Sequence, residues 1–321
     1  MLRNFVSNAP RRRRSARRGQ SPLLLALALA TGAGAAAPAR AAVRVVSSIP
    51  TLGSLAKEVG GDRVDVVYLG KGYQDPHFVE PKPSLMVDLN KADLLLYVGL
   101  DLEIGWLPPL VLGSRNPKIQ NGELGSLDCS RAIPVLDVPA TKVDRSMGDV
   151  HPQGNPHYWI PPANAKVIAK EIAGRLKQID AAGAATYDKR LADFNARVDE
   201  AEKSWQPLIA KARGRKIVTY HKSWTYVSAW LGFTEIGYLE PKPGIPPDPQ
   251  HLLSLIQTMR SEGVKLLLVE DFYNRNTAQL VASKASAKML TLPTDVGATP
   301  DIKTWFDLVN AILKQLATAS A

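Results

Sequence analysis

The chain has 321 residues with 45% hydrophobic and 22% charged residues, the composition of an ordinary globular protein long enough for two domains. Its formal net charge of +10 suggests nucleic-acid binding only until the charges are located, because residues 1–41 hold eight arginines and no acidic residue. Without that segment the net charge falls to +2, so composition argues against a nucleic-acid partner.

Residues 1–41 are predicted to be a signal peptide. An arginine-rich start is followed by the apolar run SPLLLALALATGAGAAA and by Ala39-Arg40-Ala41, a small-x-small pattern typical of a cleavage site. An uncleaved membrane anchor is the alternative, which the short run rich in Gly and Ala disfavours. We therefore expect export to the periplasm. Cys129 is the only cysteine, so it has no internal disulfide partner and is interpreted as a small buried core residue.

Strands and helices alternate along residues 42–162. Strands are predicted at 42–49, 63–70 and 93–99, and the segments SLAKEVGG and PSLMVDLNKA between them are predicted helices. This alternation is typical of βαβ units and a parallel sheet. We interpret residues 42–162 as an N-terminal α/β lobe.

A long linking helix is predicted over residues 163–213, which are rich in Ala, Lys, Glu and Arg. Within it, apolar residues recur at alternating spacings of three and four, which forms one stripe along a helix. The members of the stripe are Tyr187, Leu191, Phe194, Val198, Ala201, Trp205 and Leu208. A coiled-coil dimer is the alternative, but the stripe lacks a Leu/Ile seam, so we favour a helix packed on its own protein.

Residues 214–321 are predicted to form a second α/β lobe. Strands are expected at 215–221, 264–271 and 287–293, with helices between them and a last helix over 301–318. The segments EPKPS (80–84) and EPKPG (240–244) each precede a helix and an apolar strand, so the lobes resemble two versions of one plan. The predicted fold is α/β, with two (β/α) lobes of parallel sheets joined by a long rigid helix and a ligand site in the cleft.

Three of the five histidines share a context at the predicted cleft. His77 follows a strand in DPHF, His157 precedes the linking helix in GNPHYWIPP, and His221 ends the strand RKIVTYH. One such histidine is more often structural than a ligand, but three on loops around one cleft indicate a metal site. Imidazole suits Zn, Cu, Ni and Fe, and three histidines with one carboxylate form a tetrahedral site.

Two acidic residues are candidates for a fourth ligand. Glu270 ends the strand KLLLVE and Asp295 follows the strand AKMLTLP, and the residues alone leave both open. His151 is interpreted as a solvated loop histidine rather than a weak ligand, and His251 as structural or surface. Asp75 and Glu80, on either side of His77, are either partners that orient its ring or loop polar groups.

Common enzyme signatures are absent from the sequence, which contains no HExxH, GxSxG, P-loop or CxxC motif. Two alternatives to a binding protein remain. If the protein is a zinc-dependent periplasmic hydrolase, its metal should have an open coordination position and the protein should turn over a substrate. If it is a metal-binding adhesin, its binding to its surface partner should survive removal of the histidines.

The three histidine segments DPHFVEPKPS, GNPHYWIPP and VTYHKSW together resemble the metal-binding motifs of the TroA-like periplasmic proteins that serve ABC importers of zinc and manganese. The resemblance covers residues 43 to about 318. It implies that His77, His157 and His221 are metal ligands and that the fourth is a carboxylate in the loop TLPTDVGA, Asp295, with Glu270 as the alternative.

The resemblance also implies a function. Family members with histidine at the third position resemble zinc carriers, so zinc is expected, with manganese or copper less favoured. The expected protein is a periplasmic, monomeric zinc-binding protein rather than an enzyme, and it delivers its ion to the membrane permease of an ABC importer. The long histidine-rich loop of some zinc carriers is missing, with only His151 near its place.

Overall fold

A computed structural model describes residues 42–143, 148 and 150–319. The predicted signal peptide, residues 1–41, lies outside the described residues. Among the helices described, none combines the length and the apolar character that crossing a membrane requires.

The first lobe is built on a four-stranded parallel sheet. Its strands are β1 (Val43–Ser47), β2 (Val64–Tyr68), β3 (Leu94–Tyr97) and β4 (Ser126–Asp128), and its helices are α1 (Pro50–Gly60), α2 (Pro83–Asn90) and α3 (Leu107–Gly113). The strand order is β2-β1-β3-β4. The central strand β3 reads as a near-continuous apolar run, as expected for a strand covered on both faces.

The second lobe repeats this arrangement. Its strands are β5 (Lys216–Thr219), β6 (Thr234–Tyr238), β7 (Leu266–Glu270) and β8 (Lys288–Leu292), and its helices are α6 (Thr225–Leu231), α7 (Pro249–Ser261), α8 (Arg275–Ala285) and α9 (Trp305–Thr318). All its strand pairs are parallel, in the order β6-β5-β7-β8. Because this order matches the first lobe strand for strand, the expectation of two lobes on one plan is confirmed.

Two helices, not one, fill the segment over which the sequence predicts a single linking helix (163–213). They are α4 (Pro162–Ile179) and α5 (Ala184–Ala212), separated by a short 3₁₀ turn. The break is at Asp180, whose buried carboxylate accepts hydrogen bonds from Arg63 Nε at 2.9 Å and from the Tyr187 hydroxyl at 2.7 Å. These tertiary bonds hold Asp180 out of helical geometry (φ −127°, ψ 76°), so the long helix begins only at Ala184.

The apolar stripe of α5 packs on the protein's own core, as predicted. Tyr187, Phe194, Val198 and Trp205 are buried, and the other three members of the stripe are partly buried against the same cluster. That cluster is continuous and contains residues from both sheets and from α4, α5 and α9. The described residues accordingly form one compact unit. Cys129 is buried in this core, as expected.

Candidate metal centre

The structure brings His77, His157 and His221 together. Each offers one ring nitrogen to a group of atoms that all lie within 4.8 Å of one another. The ring centroids are 5.1 Å apart for His77 and His157, and 5.3 Å apart for each of the two pairs that include His221. His77 lies on the loop after β2, His157 on the segment before α4 and His221 two residues after β5, so both lobes contribute.

His77 and His157 are held by the same local hydrogen-bond arrangement. In Asp75-Pro76-His77, the carboxylate Oδ1 accepts from the backbone N–H of His77 at 2.9 Å and contacts its ring Nδ1 at 2.8 Å. In the corresponding segment around His157, Asn155 Oδ1 makes the same two contacts at 2.9 and 3.0 Å. The intervening proline fixes φ, so an Asx side chain two residues before the histidine is well placed to hold it.

The third histidine is held by a residue distant in sequence. His221 Nδ1 lies 2.7 Å from Oε2 of Glu240, a buried carboxylate that also accepts from the backbone N–H of Gly244 at 2.9 Å. Glu240 belongs to the second EPKP segment. Its counterpart Glu80 is exposed and, within the described part of the chain, forms an ion pair with Lys82. Glu80 therefore does not orient His77, whereas Asp75 does.

These partners determine which ring nitrogens carry protons. Carboxylate oxygens only accept, so Nδ1 of His77 and Nδ1 of His221 must be the protonated nitrogens. The amide of Asn155 is oriented by its donation to the carbonyl of Lys222 at 2.8 Å, so its Oδ1 faces His157 and again requires Nδ1–H. In the neutral rings, all three Nε2 atoms therefore keep a free lone pair, the form that binds a metal ion.

The centre is buried and small. His157 and His221 are 6% and 3% exposed, and burial lowers the pKa of His157 well below its ordinary value, with the neighbouring histidines adding to the effect. The three rings line a cavity of about 10 Å³, room for one water-sized sphere, whose wall includes Trp159, Phe272 and Tyr273. Three imidazole rings around so small a cavity suit one borderline metal ion.

Neither predicted acid joins this group among the residues that the structure describes. Glu270 is fully buried at the end of β7, and neither of its carboxylate oxygens has a hydrogen-bond partner of good geometry within the described part of the chain. Burial raises its pKa to about 8, an effect that the hydroxyl of Ser223 opposes only in part.

Asp295 is hydrogen-bonded to the first lobe through one of its carboxylate oxygens. Its Oδ1 accepts hydrogen bonds from the backbone N–H of Thr51 at 2.7 Å, from the Thr51 hydroxyl, and from the backbone N–H of Val296 at 2.8 Å. Thr51 lies in the first turn of α1, whose own N-cap residue, Ile49, provides no side-chain cap. Burial raises the pKa of Asp295 to about 7, and the bonds from Thr51 oppose this shift.

His151 lies on a loop, as predicted, but it is only partly exposed and contacts the histidines of the centre. Its ring stacks on that of His77, with centroids 5.4 Å apart and planes at 29°, and its centroid lies 6.3 Å from that of His157. The two Nε2 atoms of His77 and His151 are 3.3 Å apart. His251, in contrast, lies on α7, where its ring contacts the carbonyl of Tyr238 at 2.9 Å, as expected of a structural histidine.

Asn155 and Glu240 are the site residues that sequence reasoning missed. The signal for Asn155 is present in the sequence, since NPH repeats the DPH pattern of the first histidine. For Glu240 the only sequence signal is its place in the repeated EPKP segment. That signal is weaker, because the contact with His221 spans 19 residues and depends on the pairing of β5 and β6.

Comparison with known proteins identifies the family. The sequence profile of a family described as "ZnuA: Zinc-uptake complex component A periplasmic" matches residues 45–319. The chain belongs to this family. The predicted resemblance is therefore confirmed, and the family consists of substrate-binding proteins of metal ABC transporters rather than enzymes.

Relatives of the chain are named for the transport of different metals. The chain is 26% identical over 233 residues to a manganese ABC transporter substrate-binding lipoprotein, PsaA, of Streptococcus anginosus, covering 71% of this chain and 72% of that protein. It is 22% identical over 262 residues to a high-affinity zinc uptake system protein, ZnuA, of Bacillus subtilis, covering 81% and 80%.

The fold of the family is shared as well. A crystal structure of ZnuA superposes with a TM-score of 0.72 at 24% identity, covering 87% of this chain and all of that one. The two parallel-sheet lobes and the long helix are thus those of known ZnuA structures, and the predicted fold class is confirmed. The protein is the metal-binding component of an ABC importer.

Proposed function

We propose that the protein binds one zinc ion through Nε2 of His77, His157 and His221 and delivers it to the membrane permease of an ABC importer. The observation that carries this proposal is the arrangement of three buried rings whose Nδ1 atoms are bound by fixed acceptors. Zinc prefers such nitrogen ligands, whereas manganese is better suited by carboxylate, carbonyl and water oxygens.

A manganese carrier is the second candidate. The Streptococcus anginosus relative, named as a manganese transporter component, favours it, and the Bacillus subtilis relative, named for zinc uptake, favours zinc. Asp295 and Glu270 remain predicted carboxylate ligands, and an oxygen ligand from either would make manganese more competitive. Copper is expected to bind the isolated protein at least as tightly as zinc, because divalent affinities follow the Irving–Williams order.

The cellular setting is part of the proposal. We infer that residues 1–41 are removed on export, that residues 42–162 and 214–321 act as the two lobes, and that the mature protein works as a periplasmic monomer. Mass spectrometry of the exported protein gives its first residue, and light scattering gives its mass in solution. A product that retains residues 1–41, or a dimer mass, would contradict the respective inference.

Metal content and affinity test the central claim. Zinc and manganese binding by the mature protein is compared with that of His77→Ala, His157→Ala and His221→Ala, with His251→Ala as the matched control. Zinc affinity is expected to fall by more than about 100-fold in the three variants and to remain unchanged in the control. Equal zinc binding by wild type and the three variants would overturn the proposal, and tighter binding of manganese than of zinc would favour the second candidate.

A further inference from the structure

A second cavity, of about 400 Å³, lies on the face of the first lobe's sheet that is turned away from the continuous core. Leu95 and Tyr97 of β3 and Ser126 and Asp128 of β4, which pair side by side in the sheet, line it. The three histidines of the metal centre are not among its lining residues. The cavity lies toward the carboxyl ends of parallel strands, where α/β sheets bind ligands, and its volume is in the range of small-molecule sites.

The second lobe covers the corresponding part of its sheet. There Leu267 of β7 pairs with Met289 of β8, as Leu95 pairs with Ser126 in the first lobe. Helix α8 connects β7 to β8 and packs on both strands through a buried apolar face. In the first lobe the connection contains the seven-residue α3 and a short 3₁₀ turn, and α3 packs mainly on α2. The cavity is therefore the space that the shorter helix leaves uncovered.

The charges around this cavity all have one sign. Its charged lining side chains are all acidic, namely Asp101, Glu103 and Asp128. Among the described residues, no Lys, Arg or His lines it. Burial, followed by the Asp128 carboxylate, raises the pKa of the Tyr97 phenol, and Ser126 and Arg131 oppose this shift only in part. A ligand in the cavity therefore meets a negative environment.

Two of the acids belong to one wall. Gly99, Leu100 and Asp101 form a turn in which all three residues have positive φ, at 78°, 51° and 64°. A Cβ on Gly99 would lie 2.2 Å from Oδ1 of Asp128, so the carboxylate comes this close only because the residue is glycine. Asp101 follows two residues after that contact. Glu103 holds the turn by accepting from the backbone N–H of Gly99 at 3.1 Å.

The rest of the lining is largely apolar. Leu107 and Val111 of α3 and Ile119 of the 3₁₀ turn contribute to it, and Ile104 and Leu112 stand at the rim, 65% and 74% exposed. Covering such surface stabilises a complex by about 25 cal/mol per Å² of apolar area buried. A ligand with an apolar body and a positive charge thus matches both parts of the lining.

A bare metal ion matches this cavity less well. Within the described part of the chain, its carboxylates do not come close enough to one another to share an ion, in contrast to the three-histidine centre. The volume is also far larger than one ion needs. Size and chemistry together favour an organic cation.

We propose that this cavity binds a small organic cation, an ammonium group carried on an apolar chain or ring. Asp101 and Asp128 hold the ammonium group, and the ring of Tyr97 adds a cation–π contact. The apolar body lies between α3 and the sheet. The site goes beyond the proposed function and uses none of the proposed zinc ligands, so its failure leaves zinc binding untouched.

Three probes that share a phenylethyl body test the preference for a cation. Phenethylammonium, 2-phenylethanol and 3-phenylpropionate carry a positive, a neutral and a negative group, respectively. In isothermal titration calorimetry with metal-free mature protein, the cation is expected to bind at least about tenfold more tightly than the alcohol, and the anion more weakly than either. Equal affinity for the three probes, or no saturable binding of the cation, would overturn the proposal.

Variants locate the binding site. Asp128→Asn removes one charge at nearly constant shape and is expected to weaken phenethylammonium binding by about fivefold or more. Ser126→Met introduces the side chain that the second lobe has at the paired position, so it should fill the cavity and abolish binding. Glu123→Gln, at an exposed position of the same lobe, is the control and should bind as wild type does. Near-UV circular dichroism checks that each variant is folded. Wild-type affinity in both folded cavity variants would refute the assignment.

NMR of the wild-type protein provides a test without substitution. Saturating phenethylammonium is expected to shift the backbone amide resonances of Gly99, Ser126 and Asp128 in ¹⁵N-labelled, metal-free mature protein. The amides of the second lobe's paired strands, such as that of Met289, should not move. Shifts confined to residues outside the cavity would show that the cation binds elsewhere and that the inference is wrong.

Discussion

The carboxylate of Asp295 caps helix α1 across the lobe interface by accepting from the backbone N–H of Thr51 at 2.7 Å. The Thr51 hydroxyl donates to the same oxygen. A negative group at a helix N-terminus is favoured both by hydrogen bonding and by the helix dipole. Close by, Trp159 of the first lobe donates its indole N–H to the carbonyl of Thr294 at 2.7 Å. The lobes are thus bonded to each other beside the metal centre.

Replacing Thr51 with valine tests how much its hydrogen bond to Asp295 contributes to the free energy of unfolding. Thr51→Val removes the hydroxyl donor from the buried Asp295 carboxylate and is expected to lower the free energy of unfolding by about 1–2 kcal/mol. Urea denaturation of the metal-free protein measures it. The matched control is Thr299→Val, since Thr299 donates at 2.6 Å to Asp301 on the surface, where the loss should be below about 0.5 kcal/mol. Equal effects in both variants would contradict a special role for the interface.

Glu240 is expected to set zinc affinity through His221. Glu240→Gln replaces the carboxylate that holds Nδ1–H with a neutral amide, which weakens the orientation and basicity of the ring. Loss of such a partner typically costs 10–100-fold in metal affinity, so we expect zinc binding to weaken by about that factor. Competition with a chelator of known affinity measures the change.

The sequence supplies the control for this experiment. Glu80 occupies the same place in the first EPKP segment but is exposed and paired with Lys82, so Glu80→Gln should leave zinc affinity unchanged. A loss of affinity in Glu80→Gln equal to that in Glu240→Gln would indicate a general charge effect rather than positioning of His221.

Glu103 is expected to make stability depend on pH. Its buried carboxylate accepts from the backbone N–H of Val98 at 2.7 Å and of Gly99 at 3.1 Å, and burial nevertheless raises its pKa from 4.5 to about 7. The folded state therefore holds this proton more tightly than the unfolded state. The stabilising contribution is fully present below pH 4.5 and is lost as the pH rises to about 7, a change of roughly 3 kcal/mol.

A comparison of two variants isolates this contribution. Between about pH 5 and pH 8 the unfolding free energy of metal-free wild type should fall relative to that of Glu103→Gln, which has no titrating group there. Glu123→Gln changes an exposed position of the same lobe, so its unfolding free energy should depend on pH in the same way as that of wild type. Parallel curves for all three proteins would refute the prediction.

Zinc binding is expected to change the overall dimensions very little. The core runs continuously through both sheets and the long helix α5, and the described residues form one compact unit. A wide hinge opening would have to break this core. The radius of gyration from small-angle X-ray scattering should therefore agree within error between metal-free and zinc-loaded protein, and a large decrease on loading would contradict it.

Most of the fold could be predicted because its elements carry strong local patterns. The apolar runs of β3 and β7 and the stripe of α5 are long and regular, and the repeated plan of the lobes follows from them. Two strands were missed for physical reasons: β4 has only three residues, and β6 reads TEIGY, with a glycine and partly exposed side chains. Such segments become strands through pairing with their neighbours.

The remaining errors come from contacts between distant residues. The break between α4 and α5 falls in Ala-rich sequence that favours helix, and the Arg63–Asp180 pair, 117 residues apart, overrides that preference. The three histidines of the centre could be predicted because each has its own motif. The environment of His151 could not, since its loop has no regular pattern and its position depends on His77, 74 residues earlier.

The bonds from Asp75, Asn155 and Glu240 hold the three rings in place before any ion arrives. Little conformational freedom is left to lose on capture, which favours tight binding. The same bonds are expected to slow release, because they must yield before the rings can move and let the ion leave. We therefore expect the isolated protein to surrender zinc slowly in a stopped-flow chelator chase. On this view, zinc is released when the protein meets the permease. Rapid loss of zinc from the isolated protein would contradict it.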